Sequence, residues 1–363
     1  MDLIFIFFLK GKIKIIVEEL IKNIVDKPSV SDNYMKLASI YLADNEYDLA
    51  IGVYESLLNF EKSNYIALTN LGSIYFCKYD FHRAVNYYSR AAALGIEDLS
   101  VYFNLGNAFA ELGEFKQAMS NYIKALNFDK NNDKVYSAIA MLYQDQENYE
   151  EAVRHYEKAL KLNPNDVNNH INLALVLMKT GNAQDAINYF SKALEMYPNE
   201  VKFKLYCANA HTAYKNFVLA NKFFENIITE FPNYYQAYLC YAISKYDEGK
   251  IQEAIDLYNR AIQISPEITN AYILLGNLYF SEHKYEEAAE VYKKAIELEP
   301  AEPSVYSLLG NTYVMMKDLR SAISIYKQAI DIDFNNDELK LVYIEIIHEF
   351  IKSKTEENTE NVA

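Results

Sequence analysis

The chain has 363 residues and a formal charge of −15, from 35 basic and 50 acidic side chains. That balance excludes a nucleic-acid surface, which needs a basic stripe to neutralise phosphates. Cys77, Cys207 and Cys240 form no Cys-x-x-Cys pair and no even framework, so a disulfide scaffold is excluded and reduced thiols of a cytoplasmic protein are expected.

The chain opens on an apolar run, Leu3–Leu9, too short for a membrane span of about 20 residues. A basic start and a small-residue cleavage site are both lacking, which excludes a signal peptide. Residues 13–26 carry Ile13, Ile16, Val17, Leu20, Ile21 and Ile24 at helical spacing. Residues 1–30 are therefore read as a capping segment. The alternative for residues 1–10 is a weak membrane or partner anchor.

From Ser31 the chain repeats itself every 34 residues. Ala50, Ala84, Ala118, Ala152, Ala186, Ala220, Ala254, Ala288 and Ala322 stand in one register, each followed four residues later by Tyr or Phe. Numbered from 1 to 34 in each copy, these alanines fall at position 20 and the aromatics at position 24; position 8 is always Gly or Ala. Pro164, Pro198, Pro232, Pro266 and Pro300 fall at position 32. A fixed period in this range means one supersecondary unit copied and stacked. Each copy holds two apolar stripes with helical spacing, such as Tyr102, Leu105, Gly106 and Phe109, then Ala118, Tyr122 and Ala125. Between them Gly113, Gly181 and Gly249 suit left-handed helix ends, and His283 falls at the same turn. Small side chains at positions 8, 20 and 27 let two helices approach closely.

Nine copies are expected, at 31–64, 65–98, 99–132, 133–166, 167–200, 201–234, 235–268, 269–302 and 303–336. Residues 337–352 follow as a closing helix with Leu339, Val342, Tyr343, Ile346, Ile347 and Phe350 on its buried face. Leu341 and Ile344 leave its other face partly apolar, which offers a homodimer contact. Residues 353–363 are polar and acidic, and are expected to be disordered.

This register resembles the tetratricopeptide repeat family: a large residue, Leu–small, then Tyr on the first helix; Ala–x3–aromatic on the second; then Pro. The resemblance covers residues 31–336, with Tyr rather than Trp at the first aromatic position and no proline in repeats one, two, three and nine. It implies an all-α, right-handed α-solenoid of helix-turn-helix repeats, a superhelix with N- and C-terminal capping helices.

By the same resemblance, the first helices line a concave groove that binds a peptide segment of a partner protein. Positions 2, 5, 9, 12 and 13 face it, with position 6 at its edge. The apolar candidates there are Phe76, Phe103, Met141, Met178, Tyr246 and Phe280. The amide candidates are Asn70, Asn104 and Asn172 at position 6, and Asn107, Asn209, Asn277 and Asn311 at position 9. An amide can both donate to and accept from a peptide backbone. The O-linked N-acetylglucosamine transferases carry such a ladder, but their catalytic domain is not expected in these residues. Position 5 holds no lysine, which excludes the carboxylate clamp of heat-shock cochaperones.

No catalytic or metal spacing stands outside the register, so neither an enzyme nor a cofactor is expected. His170 and His211 replace core aromatics and read as packed histidines. Lys204 and Lys245 occupy large apolar positions; they either snorkel or mark a loosened stretch that meets an acidic partner. The expected function is a protein-interaction scaffold. The alternatives are a self-associating hub and a substrate-selecting arm of an enzyme.

Overall fold

The computed structural model describes residues 2–360, with side chains at residues 13–353 and 355. All regular structure among the described residues is helical. The chain forms two compact bodies that divide between Val176 and Leu177.

The N-terminal body holds α1 (Asp2–Asp26), then helix pairs α2 (Ser31–Ala43) with α3 (Tyr47–Phe60), α4 (Tyr65–Cys77) with α5 (Phe81–Ala92), α6 (Leu99–Glu111) with α7 (Phe115–Phe128), and α8 (Asp133–Asp145) with α9 (Tyr149–Leu162). The division falls inside α10 (Val167–Lys179). The C-terminal body continues with α11 (Ala183–Met196) and the pairs α12 (Val201–Ala213) with α13 (Phe217–Glu230), α14 (Tyr235–Asp247) with α15 (Ile251–Ile264), α16 (Thr269–Ser281) with α17 (Tyr285–Leu298), and α18 (Pro303–Met315) with α19 (Leu319–Ile332). It ends with α20 (Asp337–Glu360).

Two elements run longer than the sequence patterns predict. α1 begins at Asp2 rather than at residue 13, because no proline interrupts it and a single internal glycine is tolerated. Its predicted stripe packs only in part: Leu20 is buried and Ile24 joins the core, while Ile13, Ile16 and Ile21 stay exposed. The apolar side chains of the first residues lie outside those described. α20 likewise continues to Glu360, since the polar stretch after Lys352 has neither Gly nor Pro. Residues 361–363 of the expected disordered tail lie outside the described residues.

Every position-20 alanine is fully buried, and so is nearly all of each aromatic four residues on. Position 4 has a shared task in five repeats. Tyr136, Tyr238, Tyr272 and Tyr306 each donate a hydroxyl hydrogen bond to the position-32 carbonyl just before their helix, at 3.0–3.1 Å. His170 makes the same link from Nε2 to the Pro164 carbonyl at 2.8 Å. His211 is buried and stacked on Phe223 with ring centroids 5.8 Å apart, and burial lowers its pKa. Both histidines are packing residues.

Each inter-helix turn closes the same way. The N–H at position 16 donates to the carbonyl at position 11, as Asn148 does to Tyr143 at 2.9 Å and Lys250 to Lys245 at 2.8 Å. This Schellman closure puts position 15 in the left-handed region. Gly113, Gly181 and Gly249 accept it freely, but Asn45, Tyr79, Glu147, Lys215, His283 and Lys317 hold φ of 56–60°. A left-handed side chain costs about 1–2 kcal/mol, of which glycine's extra chain entropy gives back part. Lys215→Gly is therefore expected to stabilise its body by about 0.5–1 kcal/mol. Denaturant unfolding checks this; a loss of stability would show that the lysine stem packs at the turn.

Lys204 and Lys245 do not await an acidic partner. The Lys204 amine binds Glu230 at 2.6 Å. Lys245 binds Glu253 at 2.8 Å and lies 3.6 Å from Glu248, which Lys250 also holds at 2.9 Å. The chain's own carboxylates satisfy both amines, so these departures are internal ion pairs.

Candidate peptide-binding face

Within the N-terminal body, α4, α6 and α8 lie side by side, as first helices of successive repeats. The position-24 tyrosines behind them reach their inner face with the hydroxyl, and position 8 decides where each hydroxyl lands.

Where position 8 is glycine, the ring crosses directly over it. A Cβ built on Gly72, Gly106, Gly276 or Gly310 would come within 2.5–2.7 Å of the ring of Tyr88, Tyr122, Tyr292 or Tyr326. Each of these hydroxyls bonds position 9 of its own repeat. Tyr122 donates to Asn107 Oδ1 at 2.8 Å, Tyr292 to Asn277 Oδ1 at 2.6 Å and Tyr326 to Asn311 Oδ1 at 2.7 Å. Tyr88 shares a 2.9 Å bond with Ser73. Where position 8 is alanine, Tyr54 and Tyr156 instead meet position 6 of the following repeat. Asn70 Nδ2 donates to Tyr54 Oη at 2.8 Å, while Tyr156 donates to Gln144 Oε1 at 3.2 Å with the Asn172 side chain beside it. Buried hydroxyls thus orient the amides in two senses. Asn107, Asn277 and Asn311 have their NH2 groups left over; Asn70 has its carbonyl oxygen. Burial raises the pKa of these tyrosines, so the hydroxyls stay protonated.

One cavity of about 540 Å³ in the N-terminal body gathers five expected site residues, Phe76, Phe103, Asn107, Met141 and Asn172. Ala110, Ala138 and Leu142 extend its apolar lining, and Glu111, Lys134, Asp145 and Asp166 bring charge. Met141 is 52% exposed and Ile66, on the same face, 53%. Asn70 and Asn104 are half-buried and do not line this cavity. Sequence reasoning missed Asn168 and Asn169, which do. A signal existed: Asn169 sits at position 3, where Ala67, Val101, Val135, Ala237, Ala271 and Val305 are buried apolar residues.

In the C-terminal body, Asn311 lines a second cavity of about 610 Å³ with Ser307, Leu308, Asn336 and Leu339. Tyr246 is spent partly on its neighbour, donating to Ser281 Oγ at 3.0 Å. Phe280 packs edge-on against Tyr285 at 5.4 Å. Met178 is half-buried, and Asn209 Nδ2 lies 3.7 Å from Cys240 Sγ, so this amide turns toward the next helix pair rather than outward. Burial raises the pKa of Cys240 and pushes Cys207 up to about 12, which disfavours the thiolate at both. Among the described residues, no group of His, Cys, Asp or Glu could hold a metal, and no helix is long and apolar enough to cross a membrane.

Family models described as TPR repeat match residues 106–146, 244–282 and 276–317, and models described as tetratricopeptide repeat match 34–63, 133–199 and 303–336. No curated protein matches the sequence. Among solved structures, a tetratricopeptide repeat protein from Parabacteroides merdae is similar at 23% identity, TM-score 0.57, over 68% of this chain and 98% of its own. The C-terminal part of a TPR repeat-containing protein from Cytophaga hutchinsonii is similar at 16% identity, TM-score 0.51, over 66% and 99%. At such identities these likenesses establish the fold alone. Taken with the nine-fold register and the stacked helix pairs, they lead to one conclusion: the chain belongs to the tetratricopeptide repeat family.

Proposed function

We propose that this chain is a protein-interaction scaffold whose first-helix face holds an extended segment of a partner protein. The family favours an interaction scaffold in general. The observation that carries the finer reading is the orientation of the face amides by buried tyrosines. Amides held this way are pre-organised to meet the N–H and C=O groups of a bound backbone, which lowers the entropy cost of binding. Apolar side chains beside them, Phe76, Phe103 and Met141, supply anchoring area. On this reading residues 31–336 act as nine repeats between two terminal helices, and the chain works without catalysis.

Substitutions at the amides would also unpair buried hydroxyls, so exposed apolar positions make the cleaner test. Full-length chain carrying Ile66→Ser and Met141→Lys is expected to keep its helical circular dichroism and melting temperature. In affinity capture from native lysate it should retain a defined partner at least about tenfold less well than wild type. Equal recovery by both chains would move the binding surface to the second helices, or to the exposed Leu341 and Ile344 side of α20.

A further inference from the structure

The cavity in the N-terminal body carries more than a neutral peptide groove requires. Asn169 is 2% exposed, and its NH2 group has no hydrogen-bond acceptor. Buried donors are almost always paired, because an unpaired one forfeits its hydration without return. Six other repeats hold Ala or Val at this position, and Asn33 of the first repeat, half-buried, is the other amide there. Asn169 lines the cavity together with Asn107, whose oxygen is taken by Tyr122 and whose NH2 is left over, and Asn172.

Charge is the second, independent observation. Glu111, Asp145 and Asp166 line the cavity against the single base Lys134, and among the described residues no ion pair engages any of the four. The field of Glu111 and Asp145 reaches the cavity wall: after burial, it adds to the raised pKa of Tyr122. These carboxylates share the cavity lining with the apolar Phe76, Phe103 and Met141.

We infer that the occupant of this cavity is an extended segment with one large apolar side chain flanked by lysine or arginine, whose backbone carbonyl accepts from Asn169. The apolar side chain sits among Phe103 and Met141, the flanking cations meet Glu111 and Asp145, and the carbonyl pairs the buried amide. This inference rests on the reading of the first-helix face as the binding surface.

A random short-peptide display library panned against the full-length chain tests both and separates them. Selected peptides that lose binding to the Met141→Lys chain should be enriched in Lys and Arg beside Phe, Leu, Ile or Met. Their affinity should fall about tenfold or more in Glu111→Gln/Asp145→Asn, and fall again with added salt. Peptides that depend on Met141 but show no basic enrichment would overturn the inference and leave the binding face standing. Selected peptides indifferent to Met141→Lys would overturn both. Asn169→Val supplies a readout that a packing role alone would not produce. It should raise the melting temperature of the free chain while weakening the selected peptides; a rise with unchanged affinity would remove Asn169 from the site.

Discussion

Gly106→Ala is expected to destabilise the N-terminal body by about 2–4 kcal/mol, a large effect for one methyl group. The added Cβ would lie 2.5 Å from Tyr122 Cε1 and 2.6 Å from Cδ1, well inside contact distance. The ring cannot retreat easily, because Tyr122 is 2% exposed and packs in a cluster with Ala118, Ala125, Val135 and Ile139. Overpacking a dense core costs about 1–3 kcal/mol, and displacing the ring also breaks the bond to Asn107, worth about 1 kcal/mol. Ala140 shows the alternative: with alanine at position 8, the Tyr156 hydroxyl meets Asn172 and Gln144 instead. Gly106→Ala should therefore both loosen the α6–α7 pair and release the Asn107 amide. Repeat proteins unfold in parts, so hydrogen exchange resolved to α6 and α7 is the suitable readout. Unchanged protection there would mean that the ring has room, and that position 8 does not steer the hydroxyl.

Lys245→Ala should cost about 2–3 kcal/mol, whereas Lys245→Tyr should match or exceed wild type. The lysine occupies position 11, where Tyr75, Tyr143, Tyr279 and Tyr313 stand in other repeats. Its side chain is buried, its amine lies 5.1 Å from the Tyr241 ring centre, and Glu253 binds it at 2.8 Å. Burial pulls its pKa down, but Glu253 and Glu248 outweigh that and hold the ammonium above its ordinary value. Alanine would delete the packed stem and leave a void. Tyrosine refills the volume, and the two carboxylates lose little: Glu253 is mostly solvated and Glu248 keeps Lys250 and Asn221. Thermal unfolding of the two variants decides it. If alanine proves no worse than tyrosine, the lysine stem contributes nothing and the local core is looser than its burial indicates.

Much of this was legible in the register. Helices start at Ser31, Tyr65, Leu99 and the six later positions where the pattern restarts, because two apolar stripes separated by a turn admit few other foldings. The left-handed turn was visible only at Gly113, Gly181 and Gly249. At Tyr79, Glu147 or Lys215 nothing local announces it; the closure onto the position-11 carbonyl imposes the conformation on whatever residue is there. The full extents of α1 and α20 are not legible in composition, because an apolar or polar run without helix breakers continues a helix already begun. In the site, the amides at Asn107, Asn277 and Asn311 could be found by register. Which end of each amide faces outward could not, since a tyrosine 15 residues further on decides it. Asn209 belongs to the same register yet turns to Cys240, a departure that only side-chain geometry reveals.

The most direct measurement places a photo-crosslinking amino acid at Met141 in the full-length chain, with a control at Phe128, an exposed residue on the second helix of the preceding repeat. Irradiation in native lysate should attach a partner protein at Met141 and not at Phe128. Attachment at Phe128 alone, or equally at both, would contradict the account, because the oriented amides and the acidic apolar cavity would then lie away from the surface the chain uses.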